Sequence, residues 1–186
     1  MNVPNLLSLF RIVITFFFIL AVYYDRLDYA LYLFVLQGIT DLLDGFIARV
    51  MSKKTDLGAY LDPIADKTML VGAFVMLSIK DIVPLWLPAL IILKDLVVAI
   101  GFFVLSKLGR TIKPVPSAFG KITTTCQIAT VLFILLVNIF SWSNVGAYSA
   151  AFIVVTAFFT VVTGCHYVYL GIRMARGEGR PTQSPT

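Results

Sequence analysis

The sequence predicts an all-α integral membrane protein with six transmembrane helices and both termini in the cytoplasm. Three observations support this prediction. Hydrophobic residues make up 59% of the 186 residues and charged residues only 13%, whereas a soluble domain has roughly 45–50% and about 25%. The apolar residues form six stretches of about 20 residues, the length that crosses a bilayer as a helix. Lys and Arg also gather in alternate connections, which sets the orientation.

The first stretch has no basic region before it and no clear cleavage site after it, so we expect a membrane span rather than a signal peptide. The second and third are apolar runs interrupted by acids, the fourth and fifth flank the longest link, and the sixth ends at a polar tail. The predicted spans are 5–24, 29–50, 57–79, 84–105, 119–140 and 146–172. None of the links could hold a separate domain. Residues 1–186 are therefore predicted to form a single membrane domain, with a cytoplasmic tail from about residue 173.

The basic residues lie mainly on one side of the predicted membrane. An even number of spans places both termini on that side, which is expected to be cytoplasmic. The net charge of +5 then reflects topology and attraction to anionic membrane lipids. Nucleic acid is not an expected partner, because the cations do not form one stripe. The two cysteines, Cys126 and Cys165, lie in apolar segments and are predicted to be buried thiols.

Five aspartates lie inside the apolar stretches, where an ionised carboxylate costs a few kcal/mol and usually has a function. Asp95 follows Lys94 and is predicted to form an ion pair. The other four are Asp41, Asp44, Asp62 and Asp66. Only two cations, Arg49 and Lys67, lie near them on the same spans. These four acids therefore carry more charge than the nearby cations can balance.

The spacing of these acids predicts a shared site. Asp41 and Asp44 are three residues apart, and Asp62 and Asp66 are four apart, so each pair lies on one helical face. The link between the two spans is short, which predicts antiparallel neighbours whose acids converge at the cytoplasmic end. Oxygen ligands without nearby His or Cys favour Mg²⁺, Mn²⁺ or Ca²⁺ over Zn²⁺. Two such ions are typical of displacement at phosphorus.

Small residues lie among the acids. Gly45 and Ala48 follow Asp44, and Gly58 precedes Asp62 by four residues on the same stripe. Small side chains let a ligand or a neighbouring helix approach the backbone closely. Both readings, a ligand site and ordinary helix packing, stay open at this point.

Residues 41–66 read D-x2-D-G-x2-A-R-x8-G-x3-D-x3-D. This string resembles the signature of the CDP-alcohol phosphatidyltransferases at every fixed position, and a chance match is on the order of one in 10^10 per start site. The resemblance extends over nearly the whole chain, through the six spans and an opening with Pro4, Asn5 and Arg11. It implies transfer of a phosphatidyl group from a CDP-activated lipid to an alcohol, with release of CMP.

The resemblance also assigns roles to residues. It implies two divalent cations, Mg²⁺ or Mn²⁺, at the four motif acids, with the fourth as general base. It further implies that the CDP moiety is bound by Asn5 and by the motif residues between the acids. The metal ligands are Asp41, Asp44, Asp62 and Asp66, the base is Asp66, and the CDP-binding residues are Asn5, Gly45, Ala48, Arg49 and Gly58.

A second cationic cluster predicts the acceptor. Arg110 and Lys113 lie in the longest link, and Lys121 opens the fifth span. Arg and Lys together suit a phosphate monoester, which favours glycerol 3-phosphate, although inside-positive topology alone would also place cations here. The alternative is the cardiolipin synthase branch of the superfamily, with phosphatidylglycerol as acceptor. Lys94–Asp95 stands where the glycerol 3-phosphate branch commonly has Arg-Glu, and I-K-P-x5-G-K resembles the cardiolipin synthases. Inositol phosphate and serine are less favoured acceptors.

Two other classes of protein fit the sequence less well. An ion-coupled transporter could use intramembrane acids, but the chain is short and has no inverted repeat. A non-catalytic assembly subunit would not need all four acids in register. The family resemblance also implies a homodimer in the bacterial inner or plasma membrane, with the active site facing the cytoplasm.

Overall fold

Six α-helices form the regular structure in the described part of the chain, and each corresponds to one predicted apolar stretch. The computed structural model describes the backbone of residues 3–51, 56–107, 118–140 and 146–175, and the side chains of residues 9–41, 67–105, 107, 118–140 and 146–174. The helices are α1 (Val3–Tyr23), α2 (Leu27–Met51), α3 (Asp56–Ile79), α4 (Trp86–Lys107), α5 (Ala118–Ile139) and α6 (Gly146–Ala175). Every boundary lies within three residues of the predicted one, so apolar run length alone locates the helices.

The first two helices pack antiparallel in a constant register. Three pairs of facing residues show this register, because the residue number rises along α1 by the same amount as it falls along α2. These pairs are Arg11 with Asp41, Thr15 with Gln37, and Phe18 with Phe34. The hairpin therefore has a polar half toward the start of α1 and an apolar half toward the turn.

The remaining helices alternate in direction. Ile19 lies 3.5 Å from where a Cβ on Gly72 would stand, and Lys80 pairs with Asp25 at 2.7 Å, so α3 runs parallel to α1. A cavity of about 660 Å³ separates the α3–α4 turn from the start of α6. Accordingly α1, α3 and α5 begin at one end of the bundle, where α2, α4 and α6 finish. We call this the motif end, and the opposite one the turn end.

The prediction that α2 and α3 are direct neighbours is replaced by a different arrangement. In the part of the chain that the structure describes, both helices pack against α1 and α5 rather than against each other. The two helices that carry the sequence motif thus share α1 and α5 as packing partners, and α3 also packs against α4. This places both parts of the motif at the same end of the bundle.

The turn end is closed by two similar turns. Asp25 and Asp81 follow α1 and α3 with φ of 58° and 56°, the left-handed conformation in which helices commonly terminate. The Lys80–Asp25 pair ties the two turns together. In the first turn, hydrogen bonds from Arg26 to Asp28 raise the pKa of Arg26 and lower the pKa of Asp28. Ion pairs between neighbouring residues and between the two turns therefore stabilise the turn end.

Threonines join α5 to α6. The hydroxyls of Thr123 and Thr163 lie 2.7 Å apart, and so do those of Thr130 and Thr156. The hydroxyl of each of these four residues also lies 3.0–3.3 Å from a backbone carbonyl oxygen of the facing helix. In an apolar bundle such hydrogen bonds contribute to helix association, since lipid offers no hydrophobic drive between helices.

The outer surface of the bundle is apolar. Phe16, Phe103 and Phe158 are each about 60% exposed, and similar side chains cover α1, α4 and α6. Soluble monomers seldom expose so much contiguous apolar surface. Three helical segments of the described chain are long and apolar enough to cross a membrane: Trp86–Leu105, Ala118–Ile139 and Gly146–Met174. The apolar segments Leu9–Tyr23 and Lys67–Ile79 are shorter.

The cysteines correct one expectation. Both are free thiols, but Cys126 is half-buried and Cys165 is exposed. The prediction of burial is wrong for Cys165, because an apolar residue in such a bundle has no reason to prefer the inside over a lipid-facing surface.

Candidate active site

The motif occupies two helices, and both of its parts lie at the motif end. The first part, from Asp41 to Arg49, lies in the last turns of α2, and the second part, from Gly58 to Asp66, lies in the first turns of α3. Both segments are helical throughout, so the predicted i, i+3 and i, i+4 faces are present in the backbone. Among the motif side chains, only that of Asp41 lies within the described residues.

Asp41 is held by an arginine from the first helix. The Arg11 Nη1 atom donates to Asp41 Oδ1 at 2.6 Å. The Arg11 side chain is 1% exposed, whereas that of Asp41 is 50% exposed. One oxygen of the Asp41 carboxylate is thus bound by a buried arginine, while half of the Asp41 side chain remains exposed.

A second polar pair lies one turn deeper in the same hairpin. Thr15 donates to the Arg11 carbonyl at 2.9 Å, and its hydroxyl also lies 3.3 Å from Gln37 Oε1. Thr40 is bonded to the Gln37 carbonyl. All of these residues are buried. The α1–α2 interface is therefore polar near Asp41 and becomes apolar from Phe18 onward.

Whether a divalent cation fits this position can be judged from Asp41 itself. Carboxylate oxygens suit Mg²⁺ and Mn²⁺, and within the described residues only Oδ1 of Asp41 has a partner. The second oxygen lies on an accessible side chain. Asp41 alone is not a complete site, and no group of three candidate ligands occurs among the described side chains. The predicted ligands Asp44, Asp62 and Asp66 lie outside that set, as do the side chains of Asn5, Gly45, Ala48, Arg49 and Gly58.

The predicted ion pair of Asp95 is present and is larger than predicted. Asp95 Oδ1 accepts a hydrogen bond from Lys67 Nζ and forms an ion pair with Lys94 Nζ, each at 2.9 Å. Lys94 and Asp95 are 14% and 19% exposed. The stem of Lys94 lies 3.4 Å from where a Cβ on Gly164 would stand, so α6 leaves room for it. Lys67, which the sequence suggested as a counter-charge for the motif, thus pairs across to α4.

Of the three residues in the predicted acceptor cluster, the structure describes one, Lys121. Lys121 is exposed in the first turn of α5, and α5 begins within one residue of the expected position. It therefore lies at the motif end. Arg110 and Lys113 lie outside the described residues, so their part in the cluster stays a prediction.

One contact of this site is not among the sequence predictions. From the sequence, Arg11 is placed only in the opening motif, and no partner is predicted for it. A signal existed, because an arginine within an apolar helix requires an acid on a neighbouring helix. Choosing Asp41 from the four candidates needed the α1–α2 register, which depends on how the chain turns at residues 24–26.

Comparison with known proteins places these features in one family. A model of the CDP-alcohol phosphatidyltransferase family matches residues 1–162. A probable phosphatidylglycerophosphate synthase of Mycobacterium tuberculosis is 34% identical, over 92% of this chain and 82% of the relative. The CDP-diacylglycerol–glycerol-3-phosphate 3-phosphatidyltransferase of Escherichia coli is 33% identical, over 72% and 76%. A CMP-forming cardiolipin synthase of Rattus norvegicus is 31% identical, over 91% and 61%.

Proposed function

The chain belongs to the CDP-alcohol phosphatidyltransferase family, and on this premise we propose that it transfers the phosphatidyl group of CDP-diacylglycerol to glycerol 3-phosphate. The products are phosphatidylglycerophosphate and CMP. The observation that carries the proposal is the eight-position motif of residues 41–66, which runs through α2 and α3 at one end of an apolar helical bundle. Relatives named for this reaction support the choice of acceptor.

The motif acids would hold two divalent cations, Mg²⁺ or Mn²⁺, through Asp41, Asp44, Asp62 and Asp66. When bound, such ions neutralise a diphosphate and polarise the phosphorus under attack. The exposure of Asp41 supports this assignment, because half of its side chain is accessible while Arg11 holds Oδ1. Asn5, Gly45, Ala48, Arg49 and Gly58 are assigned to the CDP moiety.

Asp66 is assigned as the base that takes the proton of the acceptor hydroxyl. The hydroxyl oxygen then forms a bond to the phosphorus of the phosphatidyl group, and the bond from that phosphorus to CMP breaks. A carboxylate can act as a general base when it lies within hydrogen-bond reach of the proton it removes. The backbone position of Asp66, one turn after Asp62 on α3, is compatible with this role.

The membrane arrangement is part of the proposal. All six helices cross the membrane, both termini and the motif end face the cytoplasm, and residues 1–186 form one domain. The apolar outer surface and three candidate spans support it. The donor has acyl chains in the bilayer and a polar head, so a site at one end of the bundle lets water and a soluble acceptor reach it. A homodimer in the bacterial inner or plasma membrane completes this arrangement.

A cardiolipin synthase is the second candidate, with phosphatidylglycerol as acceptor. It is favoured by the rat relative, which matches 91% of this chain, and by Lys94–Asp95 on α4. A phosphodiester acceptor carries one charge fewer than a phosphate monoester, so it needs fewer cations at the acceptor site. Inositol phosphate and serine stay further alternatives.

A product assay decides among these candidates. Purified enzyme in detergent is incubated with CDP-diacylglycerol labelled in the phosphatidyl group, Mg²⁺ or Mn²⁺, and one acceptor at a time. We expect labelled phosphatidylglycerophosphate and stoichiometric CMP with glycerol 3-phosphate. Cardiolipin from phosphatidylglycerol, with no reaction of glycerol 3-phosphate, would select the second candidate.

Two controls accompany this assay. Excess EDTA should stop CMP release, and undiminished release would contradict the metal assignment. Asp28→Asn removes an exposed acid at the turn end and should leave the rate unchanged. A protein that binds metal but releases no CMP with any acceptor would instead point to an ion-coupled transporter.

A further inference from the structure

We propose that Arg11 is a positioning residue that orients Asp41 so that one carboxylate oxygen faces the protein and the other faces the metal site. This inference rests on the proposed function only for the identity of Asp41 as a ligand. Arg11 itself touches neither substrate nor metal in this assignment. It acts through the carboxylate that it holds.

The pair is asymmetric in the way that such a role requires. Arg11 is almost fully buried, whereas Asp41 is half exposed. A short contact of 2.6 Å joins Arg11 Nη1 to Oδ1 of Asp41. A guanidinium forms directional hydrogen bonds from a planar fork, so it limits rotation of the carboxylate as well as balancing its charge.

The surrounding hairpin keeps Arg11 in place. Thr15, one turn further along α1, bonds to the Arg11 carbonyl and faces Gln37, one turn before Asp41. Phe18 and Phe34 pack in the next layer of the same register. Two layers therefore fix the rotation and the height of α1 against α2. The guanidinium cannot leave Asp41 without disturbing them.

Partners that orient metal-ligating side chains typically contribute 10- to 100-fold to metal affinity. Arg11→Lys keeps the charge but loses the planar fork, so we expect it to raise the dissociation constant for Mn²⁺ by about 10- to 100-fold. Arg26→Lys is the matched control. It makes the same change in an Arg–Asp pair at the turn end, with 3.3 Å between Arg26 Nη2 and Asp28 Oδ2, and should leave Mn²⁺ affinity unchanged.

The measurement is Mn²⁺ binding to the purified full-length chain in detergent, followed by the electron paramagnetic resonance signal of free Mn²⁺. It needs no substrate and no turnover. Steady-state CMP release is measured in parallel as a function of Mn²⁺. For Arg11→Lys we expect a higher half-saturating Mn²⁺ concentration and, at saturating metal, an unchanged KM for CDP-diacylglycerol.

Several outcomes would overturn the inference. Wild-type Mn²⁺ affinity in Arg11→Lys would show that the fork does not orient Asp41. Tighter Mn²⁺ binding in Arg11→Met would show that Arg11 competes with the metal. If neither variant folds, Thr15→Val decides, because it keeps both charges and removes only the bracing hydroxyl. We expect about threefold weaker Mn²⁺ binding there and recovery in Thr15→Ser, and unchanged affinity would overturn the inference.

The same data separate this inference from the proposed reaction. If Mn²⁺ binding depends on Arg11 but no acceptor gives CMP release from CDP-diacylglycerol, the proposed reaction is contradicted and the positioning role of Arg11 is supported. CMP release by a wild-type chain that binds no Mn²⁺ would remove the metal site and the positioning role with it.

Discussion

Asp95→Asn is expected to destabilise the protein far more than Lys94→Met does. One carboxylate oxygen of Asp95 lies 2.9 Å from each of two ammonium groups, those of Lys67 and Lys94. Removing Lys94 leaves Asp95 paired with Lys67, whereas removing the carboxylate leaves both lysines without this partner. The sign of the difference therefore follows from the unequal numbers of acids and bases in the cluster.

The magnitude follows from accessibility. Breaking a buried pair costs roughly 3–5 kcal/mol, and Lys94 is only 14% exposed. Lys67 is 54% exposed and can turn toward solvent or headgroups, so it adds little. We expect about 3 kcal/mol for Asp95→Asn, at the low end of that range. Lys94→Met should cost about 1 kcal/mol or less, and so should Lys94→Met combined with Asp95→Asn, since replacing a pair is often nearly neutral.

The assay is reversible unfolding in mixed micelles of dodecyl maltoside and SDS, with circular dichroism as the signal. Asp28→Asn, in an exposed pair, is the control and should not move the transition. Equal losses in Lys94→Met and Asp95→Asn would refute the reasoning, because the shared carboxylate would then not be what stabilises the cluster. A double variant as unstable as Asp95→Asn would refute it too.

Four other outcomes are expected. Asp66→Asn should abolish transfer while CDP-diacylglycerol still binds, because an amide cannot take the acceptor proton; a near-native kcat would mean that the base lies elsewhere. Lys121→Ala should raise KM for glycerol 3-phosphate roughly 10- to 150-fold, as expected for the loss of one charge-assisted hydrogen bond; a change confined to the donor KM in steady-state kinetics would contradict this. In the unfolding assay, Thr130→Val and Thr156→Val should show a coupling free energy of about 0.6 kcal/mol, and additive effects would contradict it. Asp81→Gly should stabilise by about 0.5–1 kcal/mol and raise Tm, because glycine adopts positive φ without steric cost; a lower Tm would count against the strain argument.

The helices could be predicted from the sequence because each depends on local information. An apolar run of about 20 residues bounded by charged links is legible without knowledge of its neighbours. The end of α1 at Tyr23 and the start of α6 at Gly146 follow from this alone. The motif and the family followed in the same way, since the spacing of the four acids is a property of the chain.

The pairings between helices could not be predicted, because they depend on rotation and register. The sequence places Arg11 on α1 and offers four acids as partners, and only the α1–α2 packing selects Asp41. Lys67 adjoins the motif in sequence, yet it turns to Asp95 on α4. The exposure of Cys165 could not be predicted either, since apolar residues occur both inside the bundle and on its outer surface.

The constant register of the first hairpin also constrains how the chain can change during evolution. Arg11 and Asp41 are 30 residues apart, and each residue added to a helix rotates all that follow by about 100°. One residue inserted into α1 after Arg11, or into α2 before Asp41, would rotate the arginine away from its acid even if every side chain at the site were kept. Substitutions between these two positions should therefore be tolerated more readily than insertions or deletions. Among related sequences, length changes should collect between residues 107 and 118 and be rare between 11 and 41.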